Sequence, residues 1–163
     1  MLYVILALFS ATIVGLDQWT KYLTVAADKA GNLPSTSFLG IFHITYAENT
    51  GGAWSMFQGQ TWLFIAVLVL FIAAIVVLIW KKWLTAKLEW WCLAAILGGG
   101  IGNMIDRLSC GYVRDMICFD FVDFPIFNVA DCFITVGCFV LLIYVLFFER
   151  RRTAEHKQPD ECK

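Results

Sequence analysis

The chain has 163 residues, of which 60% are hydrophobic, 16% aromatic and only 15% charged, with a net charge of −1. A soluble domain usually has about 25% charged residues, so this composition argues against a water-soluble fold, and the lack of a broad basic surface argues against nucleic acid as a partner. A mean hydropathy of +0.74 together with several long apolar runs points to an integral membrane protein folded as one bundle.

Residues 1–16 carry no charged side chain, and apolar character resumes at Trp19, Tyr22 and Leu23. A span of about 20 residues is long enough to cross ~30 Å of hydrocarbon. A cleaved signal peptide is the competing reading, because Val25-Ala26-Ala27 resembles a cleavage site. Against it, no Lys or Arg precedes the run, and Asp17 and Lys21 interrupt the approach to that site. Asp17 and Lys21 are four apart and share a helix face. They form either an ion pair at the interface or a brace for a polar site inside the bundle. Residues 24–60 hold Asp28, Lys29, Asn32, Pro34, Glu48 and Asn49. Such a segment cannot span lipid and is expected to face outward. Within it Phe42, Ile44 and Tyr46 alternate with His43 and Thr45, the period of a half-buried strand. Asn49-Thr50-Gly51-Gly52 supplies turn residues. A small antiparallel hairpin lying on the membrane is therefore expected over residues 42–56.

Thr61–Trp80 is the clearest transmembrane helix, with Lys81, Lys82 and Lys87 close behind it. The third run, 90–105, contains Gly98-Gly99-Gly100 and Gly102, which suit close helix packing. The fourth, 127–148, is stopped by Glu149-Arg150-Arg151-Arg152. The expected architecture is an all-α integral membrane protein of four transmembrane helices with a small outward-facing β-hairpin or cradle. Residues 1–148 form one domain and 149–163 a polar cytoplasmic tail. The lysines and arginines place both termini in the cytoplasm. Asp17, Asn103, Asp106, Arg107, Asp115, Asn128 and Asp131 then all lie at the outward level of the bundle.

Residues 103–131 hold five of the 13 acidic residues: Asp106, Asp115, Asp120, Asp123 and Asp131. Carboxylates near a bilayer are costly and mark function by default. Asp131 has apolar residues on both sides, and Asn128 lies three residues before it on the same helix face. Both also suit a helix N-terminus, which Pro125 just upstream agrees with. If residues 113–117 are extended, Val113, Asp115 and Ile117 share one face and Arg114 points away. Asp120 and Asp123 belong to a wetter, turn-like part of the loop. Two neighbouring carboxylates cannot both ionise easily and can share a proton. The ionised one then serves as general base towards water, and the protonated one serves the carbonyl and the leaving amine. Asn103, Arg107 and Asn128 are placed to hydrogen-bond the acids or a substrate backbone. The six cysteines have no C-x-x-C spacing and only His43 and His156 are present, which argues against zinc. Pairing of Cys110 with Cys118 is left open. A proton or ion relay would spread its acids through the membrane depth. A packing-only subunit would tolerate loss of Asp115 and Asp131. A two-carboxylate metal hydrolase would be sensitive to chelators.

Five motifs occur in order: Asp17-Gln18-Trp19-Thr20-Lys21, Asn49-Thr50-Gly51-Gly52-Ala53-Trp54, Gly102-Asn103-Met104-Ile105-Asp106-Arg107, Gly111-Tyr112-Val113-Arg114-Asp115 and Phe127-Asn128-Val129-Ala130-Asp131. Together they resemble the bacterial lipoprotein signal peptidase family, signal peptidase II, over the chain from about Leu2 to Phe148. The resemblance implies a four-helix membrane aspartyl peptidase without cofactor or metal. Its substrate would be a prolipoprotein already carrying diacylglyceryl, cut just before the lipidated cysteine. It implies Asp115 and Asp131 as the catalytic pair. Asp17, Lys21, Asn49, Gly51, Asn103, Asp106, Arg107 and Asn128 would support them or bind substrate. The expected setting is the bacterial cytoplasmic membrane, with membrane lipids as further partners, the site near the outer leaflet and the enzyme a monomer. The chain departs from the family's common pattern at Arg114 and Met116, where Val and Phe are usual. It departs also at Cys132 for serine, Trp54 for phenylalanine and Gly52 for alanine.

Overall fold

A computed structural model describes residues 1–34, 37–84 and 86–149. The expected tail lies, from residue 150 on, outside the described residues. Among the latter, four helices are long and apolar enough to cross a membrane. They are α1 (Leu2–Lys29), α2 (Thr61–Trp80), α3 (Lys87–Ser109) and α4 (Val129–Tyr144), the last running on through Val145–Glu149 in a wider π-type turn. Two strands, β1 (Phe42–Asn49) and β2 (Val113–Phe119), form the sheet. The protein is thus a mostly helical multi-pass membrane protein with a small antiparallel sheet.

α1 has 28 residues, which at 1.5 Å each gives about 42 Å, more than the ~30 Å of hydrocarbon requires. Its buried side chains are Leu6, Ser10, Ile13, Asp17, Lys21 and Thr24, spaced by three or four. That spacing makes one inward stripe, apolar at the start and polar towards the end. The polar segment expected to begin at residue 24 in fact begins later. Val25 to Lys29 continue the helix, which ends where Gly31 takes φ +67°. There the Asn32 amide donates to the Ala27 carbonyl and the Gly31 amide to that of Asp28, satisfying the last turn.

α3 lies at the centre, packed by α1 and α4, with α2 set against it at the periphery. Its glycines explain the arrangement. A Cβ on Gly98 would stand 2.9 Å from the Ser10 carbonyl oxygen of α1, and one on Gly99 only 2.5 Å from the Ala130 carbonyl oxygen of α4. Two neighbours therefore approach one helix at backbone distance. α2 has no buried residue and presents apolar side chains all round, as a lipid-facing helix does.

The expected strand at 42–46 exists, but its partner is not residues 53–56. Ala53–Ser55 is a single 3₁₀ turn in which Trp54 has φ +51°. β1 pairs antiparallel with β2, Phe42 opposite Phe119 and Asn49 opposite Val113. Between Ile44 and Ala47 the register slips by a bulge. The alternation of β2 breaks there too: Val113, Asp115 and Met116 are buried, whereas Ile117, expected on the Asp115 face, is only half-buried. A bulge re-aims side chains in this way. The other edge of β2 is tied to Phe127, whose carbonyl accepts from Met116 and Ile117 and whose amide donates to Ile117. β2 is thereby locked both to β1 and to the residue that leads into α4.

Candidate active site

α4 begins with a reciprocal cap. Asn128 Oδ1 accepts from the Asp131 amide at 3.0 Å, and Asp131 Oδ2 accepts from the Asn128 amide at 3.2 Å. The sequence offered capping and a site as alternatives for these two residues. The structure shows the cap, and each side chain has further partners besides. The Asn128 amide group donates to Asp115 Oδ1 at 2.6 Å and to Asn103 Oδ1 at 3.1 Å. Asn103 in turn donates to Asp131 Oδ1 at 2.7 Å. Asp115 Oδ2 is held by Asn49 at 3.0 Å. Asn49 reaches it diagonally across the sheet from the end of β1, two residues along from the Val113 pair.

Both aspartates line one cavity of about 420 Å³. Asn49, Asn103 and Arg107 supply its other polar walls, and Phe119, Phe124, Ile126, Phe127 and Val136 make the remainder mostly apolar. Asp115 is 2% exposed. Burial, with a further push from the charge of Asp131, raises its pKa to about 6 despite the hydrogen bonds from Asn49 and Asn128.

Beneath the aspartates lies a fully buried layer of charge. Lys21 Nζ donates to Asp17 Oδ2 at 2.7 Å, to Asp106 Oδ2 at 3.1 Å and to Asn103 Oδ1 at 3.0 Å, which uses all three of its hydrogens. Lysine can only donate, so the Asn103 oxygen must face Lys21 and its NH₂ must face Asp131. The other Asp17 oxygen accepts from the Ala130 amide at 3.0 Å, fastening α1 to α4. A Cβ on Gly102 would stand 2.6 Å from Asp17 Oδ2, so the layer fits only against a glycine. Asp17 and Lys21 are therefore 0% exposed and form a brace, not an ion pair at the interface.

Arg107 donates to the Gly51 carbonyl at 2.8 Å and stacks over the Phe64 ring of α2 at 3.9 Å. The Gly51 amide donates back to Asn49 Oδ1 at 2.9 Å. Side-chain room explains the glycine: a Cβ at Gly51 would lie 2.6 Å from the Met56 carbonyl oxygen. All ten residues expected at the site, from Asp17 to Asp131, thus belong to one connected hydrogen-bonded network.

Asp120 and Asp123 stay outside it, both exposed. Asp120 is not simply solvated, however. It accepts from Ser37 and lies 2.6 Å from His43 Nδ1, and these bonds hold its carboxyl below the usual range. Two members of the network were not expected. Gln18 donates to Asp106 Oδ1 at 2.9 Å and to the Gly102 carbonyl at 3.1 Å. Arg114 does leave the Asp115 face, but it folds under the strand to Asp106 and Gln18. An amide inside an apolar span was the available signal for Gln18. Among the described residues no three His, Cys, Asp or Glu side chains gather as a metal site requires. Cys110 and Cys118 are free thiols.

The chain matches the family model described as signal peptidase (SPase) II, peptidase A8, over residues 9–147. It is 41% identical over 152 residues to a lipoprotein signal peptidase of Enterococcus faecalis, covering 91% of this chain and 92% of the relative. Against that of Streptococcus thermophilus the identity is 41% over 146 residues, covering 88% and 92%. A solved bacterial membrane enzyme, determined by the in meso method at 2.3 Å, superposes with a TM-score of 0.76 at 27% identity, covering 98% of this chain and 93% of that one. A second, at 1.9 Å, gives 0.71 at 28% identity, with coverage of 89% and 92%.

Proposed function

This chain belongs to the signal peptidase II family, peptidases that process prolipoproteins, and from that membership we propose that it cleaves by a two-aspartate mechanism with Asp115 and Asp131 as the catalytic pair. The observation that carries this reading is the placement of both carboxylates on one cavity, each fixed by two donors and linked through Asn103 and Asn128. The pair holds one proton between its members. The ionised aspartate takes a proton from a water molecule placed between them, and the resulting hydroxide adds to the scissile carbonyl carbon. The protonated aspartate hydrogen-bonds the carbonyl oxygen as charge develops there. A proton then passes to the leaving nitrogen, and the C–N bond breaks. Neutral amides position the acids without neutralising them, which keeps the shared proton available.

The substrate is a prolipoprotein carrying diacylglyceryl, cut before the modified cysteine. The apolar walls formed by Phe119, Phe124, Ile126 and Phe127 support an apolar peptide segment at the cleavage point. Lys81, Lys82 and Lys87 put their end of the bundle in the cytoplasm by the positive-inside rule. Both termini then lie there, and the site stands near the outer leaflet of the bacterial cytoplasmic membrane. The enzyme works as a monomer and needs no metal.

The test is cleavage of a diacylglyceryl-modified precursor peptide by the purified protein, with the unmodified peptide and a chelator as controls. Cleavage of only the modified peptide, insensitive to chelator and absent in Asp131→Asn, is expected. Full activity of Asp131→Asn would overturn the mechanism, and equal rates on both peptides would overturn the substrate. Loss of activity with chelator, restored by a divalent metal, would favour a metal hydrolase.

A further inference from the structure

Arg114 stands beside a proposed catalytic acid, yet its side chain has no part in the cavity. Three bonds describe what it does instead. Its backbone N–H donates to Asp106 Oδ2 at 3.0 Å, its Nη2 donates to Asp106 Oδ1, and the same Nη2 donates to Gln18 Oε1 at 2.9 Å. Glu48 is its register partner across the sheet, but the Glu48 carboxylate accepts from Tyr46. Arg114 therefore passes over the acid opposite to it and reaches one that is 0% exposed.

The charge of the buried layer gives the reason. Asp17 and Asp106 supply two negative charges and Lys21 one positive charge, all at 0% exposure. Alone these three leave one uncompensated carboxylate where water cannot screen it, an expensive arrangement. Arg114, with 17% side-chain exposure, makes the set neutral. Its second effect concerns Asn103. The Arg114 side chain holds Asp106 Oδ1 while Lys21 holds Oδ2 and gives its remaining hydrogen to Asn103, and that bond turns the Asn103 amide towards Asp131.

We propose that Arg114 is a positioning residue for this enzyme: by closing a neutral buried quartet with Asp17, Lys21 and Asp106, it pins β2 at the residue before Asp115 and keeps Asn103 aimed at Asp131. The proposal rests on the two-aspartate reading above. It adds that the arginine couples the charge layer to the geometry of the acid pair.

The experiment compares Arg114→Val and Arg114→Lys with wild type in detergent micelles, on the diacylglyceryl-modified precursor, measuring kcat, KM and the pH profile alongside Tm. Asp131→Asn serves as the control for the underlying reading. Arg114→Val should lower kcat at least tenfold with KM within twofold, since Arg114 does not line the cavity. Its pH profile should move to higher pH, because the layer then carries one net negative charge near Asp115. The other charged groups around that position, Asp17 and Lys21 on α1, Asp106 and Arg107 on α3, Asp131 on α4 and Glu48 on β1, are unchanged in the variant. Arg114→Lys keeps the charge and should recover most of kcat and the wild-type profile. Wild-type kcat in Arg114→Val, or a loss shared equally by both variants with an unmoved pH profile, would overturn the role. Full activity in Asp131→Asn would instead overturn the mechanism beneath it.

Discussion

The Asn128 amide donates to the Asn103 oxygen at 3.1 Å, and each asparagine also donates to a different aspartate: Asn128 to Asp115 and Asn103 to Asp131. The two acids are thus joined by a bridge of neutral amides whose orientation is fixed at one end by Lys21 and at the other by the α4 cap. Neither asparagine can flip without placing donor against donor.

The first prediction follows from that unit. Asp115→Asn and Asp131→Asn should each lower kcat by roughly 10²–10⁴, the range for loss of one general acid or base. The double variant should be little worse than either single one, since residues acting as a unit are not additive. Rates with the lipid-modified precursor check this, and independent, multiplying losses would count against a shared proton.

The second prediction concerns pH and stability. The Asp115 pKa is raised from 3.8 to about 6 by burial, so the folded state binds this proton more tightly than the unfolded chain. The resulting stabilisation is fully present below pH 3.8 and is lost as pH rises through about 6. The loss amounts to roughly 3 kcal/mol once both forms are ionised. Asp115→Asn has no such proton. Its NH₂ group meets the donors Asn49 and Asn128, so the variant should start less stable at pH 4 and gain on wild type up to pH 8. Thermal unfolding in detergent across that range measures the difference, and a gap constant with pH would refute the assignment.

What the sequence made legible, and what it did not, has a physical basis. Thr61–Trp80 was readable to the residue because a lipid-facing helix is apolar on every side, preceded here by Gly59-Gln60 and followed by Lys81-Lys82. Asp17, Lys21, Asn103 and Asp106 stood out because polar groups in apolar runs need partners. The partners themselves were less legible. Nothing in the alternation of residues 42–46 says that they pair with 113–119, since strand periodicity fixes a face and not a neighbour. The direction of Arg114 was half readable: alternation turned it off the Asp115 face, but not towards Asp106, which is brought there by α3. The register slip opposite Met116 arises from the pairing and has no local signal.

A third prediction addresses the buried layer. Lys21→Met removes a cation that Asp17 and Asp106 share at 0% exposure. Breaking a buried pair in this way costs about 3–5 kcal/mol. Adding Asp17→Asn to that variant should restore part of the loss, because the orphaned charge is then gone. Tm values of the single and double variants decide the matter, and a double variant worse than the sum of its parts would contradict it.

The fourth prediction separates two adjacent glycines. Gly99→Ala places its Cβ 2.5 Å from the Ala130 carbonyl oxygen, which is backbone and cannot move without shifting α4. Gly100→Ala meets only the tip of Leu68, at 3.1 Å. Gly99→Ala should therefore destabilise by about 1–3 kcal/mol and reduce cleavage, since α4 carries Asp131. Gly100→Ala should stay near wild type in both. Equal effects at the two positions would show that helix spacing does not govern the site.

The sheet has one further consequence. Phe42 and Phe119 are register partners, yet α2 and α3 lie between them in the chain. During synthesis β1 is made first and waits, with an unpaired edge, until two membrane helices and the loop beyond them have followed. Contacts so distant in sequence form slowly, because the intervening chain must be arranged before they can stabilise anything. Asp115 arrives with the second strand, and Asp131 only with the last helix. A nascent chain therefore holds no acid pair for most of its synthesis. The proposed acid pair is therefore completed only once α4 has followed β2.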